Sequence, residues 1–360
     1  KPLYYTKTDS QLIWGSELKS LVKELSQKPQ ISKEGLNLYF RLTYIPAPYS
    51  IYEGVHKLEA NHYMEITLEN FQAKTFPIKD DKFLSIDPEI SFKEAKSKTH
   101  DLVLESVKSR SVADVPLGTF LSGGVDSSVV SLALSKQVKD KIDTFSVGFE
   151  KKSFDETDKS RTVAKLINSN HHEFIISVND LKGNLDEILL NFDEPFADSS
   201  SLPTYLVANK TRQQVKVALT GDGGDEIFGG YNKYYIGKMN ERYSALISKS
   251  LHGKIKKFAS RMLSTRDDKR GNRFKAKKLV NAINYEGDFY YNIISLAYQN
   301  EEVSHLLKAH WVKPEIFEPY KSQMNNEANS LTDFRKIDKI LSLEGDMLVK
   351  VDRTSMLTSL

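Results

Sequence analysis

Val115-Pro116-Leu117-Gly118-Thr119-Phe120-Leu121 runs directly into Ser122-Gly123-Gly124-Val125-Asp126-Ser127-Ser128, and a helical pattern over Ser127–Lys136 follows. An apolar strand, a tight glycine turn and a helix start, in that order, make an anion cradle. The two glycines let the backbone turn so that several N–H groups face one point. Ser122, Ser127 and Ser128 add hydroxyl donors, and the helix N-terminus adds partial positive charge. The spacing is neither the G-x-G-x-x-G dinucleotide fingerprint nor a Walker loop, which needs a Gly-Lys-Ser/Thr ending. The plain structural alternative is a capped helix after a glycine turn. Asp126 speaks against it, because a carboxylate in an anion-binding loop repels phosphate unless a divalent cation bridges the two; its presence points to Mg²⁺.

Outward from this stretch, strand and helix patterns alternate. Helix 91–109 precedes the strand. Strand Ile142–Phe149, helix Arg161–Asn168, strand His172–Ser177, helices Leu181–Phe192 and Leu202–Lys210, and strand Val215–Leu219 follow it. Strands separated by helices imply a parallel, doubly wound sheet of the α/β class. Such sheets bind ligands at the carboxyl ends of their strands. At that end of Val215–Leu219 stands a second loop, Thr220-Gly221-Asp222-Gly223-Gly224-Asp225-Glu226-Ile227-Phe228-Gly229-Gly230-Tyr231. Five glycines and three acids in the 11 residues 221–231 suit close backbone approach to a ligand better than packing. Asp225 is placed to share one Mg²⁺ with Asp126.

Residues 1–77 read differently. Leu3-Tyr4-Tyr5, Gln11-Leu12-Ile13-Trp14 and His62-Tyr63-Met64-Glu65-Ile66 alternate as short strands, with helical patches at Glu17–Leu25 and Lys33–Leu42. The prolines of Tyr44-Ile45-Pro46-Ala47-Pro48 close the second patch. The polar run Ile78-Lys79-Asp80-Asp81-Lys82 marks a linker over 78–90. Residues 233–360 are mostly helical, and 233–278 hold 15 Lys+Arg against 3 Asp+Glu. That stretch lacks the interleaved aromatic platforms of single-strand binders and reads as a solvated helical surface.

Composition sets outer limits. The 360 residues suggest about two domains, and 39% hydrophobic with 28% charged residues is an ordinary globular balance. A net charge of +3 argues against a whole-chain polyanion binder. The absence of cysteine excludes disulfides, thiolate metal sites and cysteine nucleophiles within these residues. No apolar run approaches the roughly 20 residues of a membrane helix, and there is no signal-peptide pattern, so the expectation is a cytoplasmic protein. Lys1 is not a Met and Leu360 falls in a helical-looking run, which reads as a partial sequence.

The Ser122–Ser128 run resembles the PP-loop of N-type ATP pyrophosphatases, the adenylating enzymes that release pyrophosphate. Together with the Thr220–Tyr231 loop and Asp193-Glu194-Pro195-Phe196-Ala197-Asp198-Ser199-Ser200 between them, it is similar to the synthetase domain of glutamine-hydrolysing asparagine synthetases. Pro2-Leu3-Tyr4-Tyr5, Gly15-Ser16-Glu17-Leu18-Lys19 and Tyr44–Pro48 resemble the end of that family's glutaminase domain. Leu348-Val349-Lys350-Val351-Asp352-Arg353-Thr354-Ser355-Met356 matches its late helix.

The resemblance implies a sheet of the PP-loop (adenine nucleotide alpha hydrolase-like) type over 91–360, truncated at its C-terminus. A partial α+β N-terminal-nucleophile glutaminase would precede it over 1–77. Leu121, Val147, Thr220 and Gly221 would hold the adenosine of ATP, and Ser122, Gly123, Gly124, Ser127 and Ser128 its β and γ phosphates. Asp126 and Asp225 would ligate Mg²⁺, and Asp222 would handle the proton when ammonia attacks. Lys350 or Arg353 would stabilise the leaving pyrophosphate. The implied substrates are aspartate, ATP, and ammonia drawn from glutamine; the implied reaction passes through a β-aspartyl adenylate, and a homodimer is the assembly to test. The family's N-terminal cysteine is absent, so glutamine hydrolysis by that route needs residues upstream of Lys1. Open alternatives are a relative that amidates a sugar acid, a β-lactam-forming relative, a PP-loop RNA-modifying enzyme, and a non-catalytic binding protein. His171-His172-Glu173 and Arg161 read as structural, Trp14 and Trp311 as packing residues, and Asp193, Glu194 and Asp198 as either substrate contacts or helix caps.

Overall fold

A computed structural model describes residues 1–8, 11–69, 72–78, 89–150, 155, 157–263, 272–322 and 330–360. The linker expected over 78–90 falls mostly on 79–88, outside the described residues.

β1 (Tyr4–Lys7), β2 (Leu12–Gly15) and β3 (Val55–Lys57) form an antiparallel sheet in the order β2-β1-β3. Tyr4 and Thr6 are buried while Lys7 is exposed, the period of two that a one-sided sheet requires. Helices α1 (Leu18–Lys23) and α2 (Lys33–Leu42) lie between β2 and β3. Ser32 caps α2 by accepting from the Gly35 N–H at 3.0 Å, and Thr43 in the left-handed region ends it ahead of the prolines. A hairpin of β4 (His62–Thr67) and β5 (Gln72–Pro77) follows. Trp14, expected to pack, is 67% exposed: it pairs with Tyr5 on the outer face of edge strand β2, opposite the face carrying Tyr4.

The second unit begins with α3 (Phe92–Arg110), capped by Ser91. Then come β6 (Leu117–Phe120), α4 (Val125–Ser135), β7 (Asp143–Phe149), α5 (Thr157–Leu166) and β8 (Asn170–Ile176). Helices α6 (Val178–Gly183), α7 (Leu185–Asn191) and α8 (Ser201–Thr211) lead to β9 (Val217–Leu219) and α9 (Gly224–Phe228). The sheet runs β8-β7-β6-β9 and every pairing is parallel. One face is covered by α3 and α4 through Val107, Ala133 and Leu134, the other by α7 and α8 through Ile188, Tyr205 and Leu206. This is the doubly wound α/β arrangement, and the winding reverses between β6 and β9.

Boundaries moved for local reasons. The strand expected over Val115–Leu121 is shorter because Pro116 has no N–H for the ladder, although its carbonyl accepts from Lys216 at 3.0 Å. The helix expected from Ser127 starts two residues earlier, with Gly124 as its cap. Asp155 accepts from the Thr157 N–H at 3.1 Å and starts α5 ahead of Arg161, and Asn168 at φ 53° stops the segment. The single helix expected over Leu181–Phe192 breaks at Asn184.

The remaining chain is helical and joins the two units. Leu38, Leu42 and Tyr44 of the first unit share one core with Tyr234, Tyr290, Phe317, Tyr320 and Phe334. Each fully buried ring of this kind contributes about 1.5–3 kcal/mol, so the units are joined by apolar packing as well as by covalent connection. Residues 331–358 form one helical run whose middle, Lys339–Met347, is wound as a π-helix before the last helix, Leu348–Thr358. Such wide turns recur at functional sites because they re-aim side chains. Among the described residues, no helix is long and apolar enough to cross a membrane.

Candidate active site

Thr119 and Leu219 are register partners in β6 and β9, so the loops that follow emerge side by side at the sheet's carboxyl edge. They touch. A methyl group on Gly221 would lie 2.7 Å from the Ser127 backbone nitrogen, and one on Gly224 would overlap the Asp126 carboxyl group. Gly123 turns at φ 81° and presses on α5, where a Cβ would come within 2.6 Å of the Ser160 nitrogen. Glycine is required at these points by sterics.

Inside the first loop the serines are organised by one another. Ser122 and Ser127 share a hydroxyl hydrogen bond of 2.9 Å, and the Ser128 hydroxyl donates to the Gly124 carbonyl at 2.6 Å. In the second loop Thr220 donates to the Asp222 carboxylate at 2.8 Å and accepts from the Asp222 N–H at 3.2 Å, which fixes an exposed Asp222 at the loop tip. Asp126 and Asp225 lie within electrostatic reach. Burial first, and then the Asp126 charge, push the Asp225 carboxyl above its usual range, with Lys233 opposing. The Asp126 carboxyl abuts Gly224 and the Asp225 carboxyl abuts Gly230, and two acids close enough to repel each other are a donor set a divalent cation can use.

A cavity of about 670 Å³ opens between α3, α4 and the second loop, and Asp126, Val129, Thr220, Asp222 and Phe228 help to line it. Leu121 is fully buried, its N–H donating to the Phe145 carbonyl at 2.7 Å. Val147 is half-buried and packs with Ile176 and Tyr205.

Lys350 and Arg353 lie one turn apart on the last helix, both buried, and they are held differently. The Lys350 ammonium donates to Asp198 Oδ2 at 3.0 Å and to the Ser200 hydroxyl at 2.8 Å. Burial drives Asp198 upward, but Lys350 and the Ser200 hydrogen bonds outweigh it and the net shift is downward. Arg353 is engaged at the junction with the first unit: it meets Asp193 Oδ2 at 3.2 Å, Glu17 at 3.4 Å and the Ser16 carbonyl at 3.4 Å.

Residues 98–360 match the family model Asparagine synthase, and residues 1–77 match the Glutamine amidotransferase domain. The chain belongs to the asparagine synthase family. Among curated relatives it is 33% identical to a putative asparagine synthetase [glutamine-hydrolyzing] 2 of Methanocaldococcus jannaschii, over 99% of this chain and 68% of that protein. It is 35% identical to asparagine synthetase [glutamine-hydrolyzing] 1 of Bacillus subtilis over 65% of this chain and 36% of that protein. With a putative asparagine synthetase of Mycobacterium tuberculosis the identity is 29% over 100% of this chain and 55% of that protein. Where essentially the whole chain aligns, it spans 55–68% of the length of these relatives.

Several residues of this asparagine synthase homologue were invisible as site elements in its sequence. Lys233, counted there among the surface cations, lies 2.5 Å from the fully buried Asp338 and within reach of Asp225. Its position just after the second glycine loop was the one available signal. Asp346, on the π-helical turn, is 8% exposed and its Oδ1 has no hydrogen-bond partner. Burial and the neighbouring Asp198 raise its carboxyl to about 7, against the pull of Lys350. Asp198 also accepts from the Ser200 N–H at 2.9 Å, just ahead of the first residue of α8. His171 is hydrogen-bonded to Thr144 and Ser146, His172 to Asp143, and Arg161 to Glu173 and Asp158. Each pairing lies within β7, β8 and α5.

The Asp346 shift has a thermodynamic consequence. The folded protein keeps this proton up to about pH 7, whereas an unfolded chain releases it near 4. The group therefore supports the fold fully below about pH 4, and that support is lost as pH rises to about 7, leaving a buried charge above it. Asp346→Asn is expected to stabilise the protein by about 1–3 kcal/mol more at pH 8 than at pH 4. Thermal unfolding of both proteins across that range measures it; a gain that shrinks with rising pH contradicts the sign.

Proposed function

We propose that residues 91–360 carry out ATP-dependent amidation of aspartate to asparagine through a β-aspartyl adenylate, and that residues 1–77 are the C-terminal part of the glutaminase that supplies ammonia in the full-length enzyme. The observation that carries this reading is the convergence of the Ser122–Ser128 and Thr220–Tyr231 loops, close enough that Gly221 and Gly224 abut Asp126 and Ser127 and that the Asp126 charge is felt at Asp225. The sheet and its first loop support assignment to the PP-loop type.

In this reading the Ser122–Ser128 loop binds the β and γ phosphates of ATP through backbone N–H groups and serine hydroxyls. The Thr220-Gly221 backbone, with Leu121 and Val147 behind it, holds the adenosine. The repelling pair Asp126 and Asp225 fits Mg²⁺, which when bound neutralises phosphate charge and polarises the α-phosphorus. The aspartate side-chain carboxylate attacks that phosphorus and pyrophosphate leaves. A fixed cation must meet the charge that builds on the departing group. Both candidates are ion-paired, Lys350 to Asp198 and Arg353 to Asp193 and Glu17; Lys350 is favoured because Arg353 is committed to the junction with the first unit through Glu17 and the Ser16 carbonyl. Ammonia then displaces AMP, and the exposed Asp222 carboxylate takes the proton.

Pyrophosphate exchange with ATP, Mg²⁺ and a panel of carboxylates tests the reading. Exchange dependent on aspartate is expected. Exchange with a sugar acid alone would transfer the protein to a different acceptor class, and exchange with no carboxylate would remove the adenylation reading. Gly224→Ala adds a local test, since its methyl group must displace the Asp126 carboxyl. Exchange is expected to fall by about 10- to 100-fold. Wild-type turnover in that variant would show that the position of Asp126 does not matter.

A further inference from the structure

The segment joining α7 to α8, residues 192–200, touches both units of the protein, and its two halves do different things. At its start, Glu194 reaches into the first unit. Its carboxylate is ion-paired with the buried Lys57 ammonium, accepts from the Tyr4 hydroxyl at 3.3 Å and accepts from the Ile51 N–H at 3.1 Å. Asp193 accepts from the Lys19 N–H at 3.4 Å, and the Ala197 N–H donates to the Thr43 carbonyl at 2.9 Å. At its end, Asp198 and Ser200 grip Lys350. Phe196 and Phe192 stack with ring centroids 4.3 Å apart and stiffen the piece between. Asp193 also holds Arg353, one turn beyond Lys350 on the same helix. The strap therefore grips the last helix at two points while its other side is fastened to the first unit.

This arrangement exceeds what packing requires. A carboxylate as buried as Glu194 is costly unless each oxygen has a partner, and here the partners Lys57, Tyr4 and Ile51 all belong to the N-terminal unit. We infer that Glu194 is a positioning residue: by fastening the strap to the N-terminal unit it sets the place of Asp198 and, through it, of the Lys350 ammonium, so that the amide-forming half is competent only while the N-terminal unit is correctly seated. The inference rests on the reading of Lys350 as the cation beside the departing pyrophosphate. Glu194 touches no reacting group, so loosening it should alter turnover more than ATP affinity. Misplacement of a catalytic group by about 1 Å can reduce rate 100-fold, and partial loss of this tie should reduce it about tenfold.

The test uses the full-length gene product and two readouts. One is aspartate-dependent pyrophosphate exchange, resolved into kcat and KM for ATP. The other is amide hydrogen exchange in the helix 348–358, which requires no catalysis. Glu194→Gln alone leaves Lys57 buried without its counter-charge, so the principal variant is Glu194→Gln with Lys57→Met, which removes the ion pair from both sides. It is expected to stay folded, with kcat about tenfold lower, KM for ATP within about twofold of wild type, and faster exchange in 348–358. Glu194→Asp, which keeps the charge, should restore a large part of the turnover and serves as the comparison should the double variant not fold. Wild-type kcat together with wild-type protection of the helix would overturn the inference, as would a parallel rise in KM. If the wild-type enzyme itself shows no exchange with any carboxylate, the functional reading falls. Helix protection then decides the mechanical tie: loosening upholds it and unchanged protection removes it.

Discussion

Asp126→Asn is expected to lower aspartate-dependent pyrophosphate exchange by at least about 10³-fold while leaving the melting temperature unchanged or slightly raised. The two effects have one origin. Asp126 and Asp225 repel each other, and that repulsion helps to hold the Asp225 carboxyl above its usual range. Replacing one acid by a neutral isostere relieves the strain on the fold and removes half of the cation's charge compensation. Asp126 sits on a half-buried loop at the helix start, not in the core, so little packing is lost. A second measurement separates the metal role from a general one. Mg²⁺ with ATP should raise the melting temperature of the wild type and not of the variant, since a ligand that binds only the folded state stabilises it in proportion to occupancy. Retained exchange in Asp126→Asn would end the assignment of a metal ligand.

Both loops were legible before any coordinates, because their glycines and acids violate the ordinary demands of packing. Glycine at 123, 221 and 224 has a steric reason that the spacing already suggested: the backbones approach too closely for a Cβ. The alternation of strands and helices likewise fixed a parallel sheet. Element ends were less legible, since they depend on single hydrogen bonds such as that of Asp155 with Thr157. Trp14 misled for a related reason: whether an aromatic residue on a strand is buried depends on which face the neighbouring strand covers.

Lys350→Gln should be damaging twice over. In exchange it is expected to cost about 10²–10³-fold, the loss typical when one fixed donor to developing charge is removed. It should also destabilise the fold by about 1–3 kcal/mol, because the partly buried Asp198 would lose its ion pair beside the buried Asp346. The two losses can be separated. Adding Asp198→Asn to Lys350→Gln removes the uncompensated charge and should recover much of the stability, measured by thermal or urea unfolding, while exchange stays low. Recovery of exchange along with stability would show that Lys350 only supports the structure. Arg353→Gln provides the contrast: its partners are Asp193, Glu17 and Ser16, so its loss should appear at the junction of the two units before it appears in adenylation.

Residue type and spacing alone specified the strand-loop-helix units and which loop side chains bear charge, since these follow from backbone sterics and short-range periodicity. Which distant charges meet could not follow from spacing. The different ion pairs of Lys350 and Arg353, the repulsion between Asp126 and Asp225, and the fastening of Glu194 to Lys57 each depend on segments separated by roughly a hundred residues or more, whose approach is set by how the sheet winds and how the aromatic core locks the helical half against the first unit. Electrostatic energy varies with distance and burial, and only the folded chain defines either.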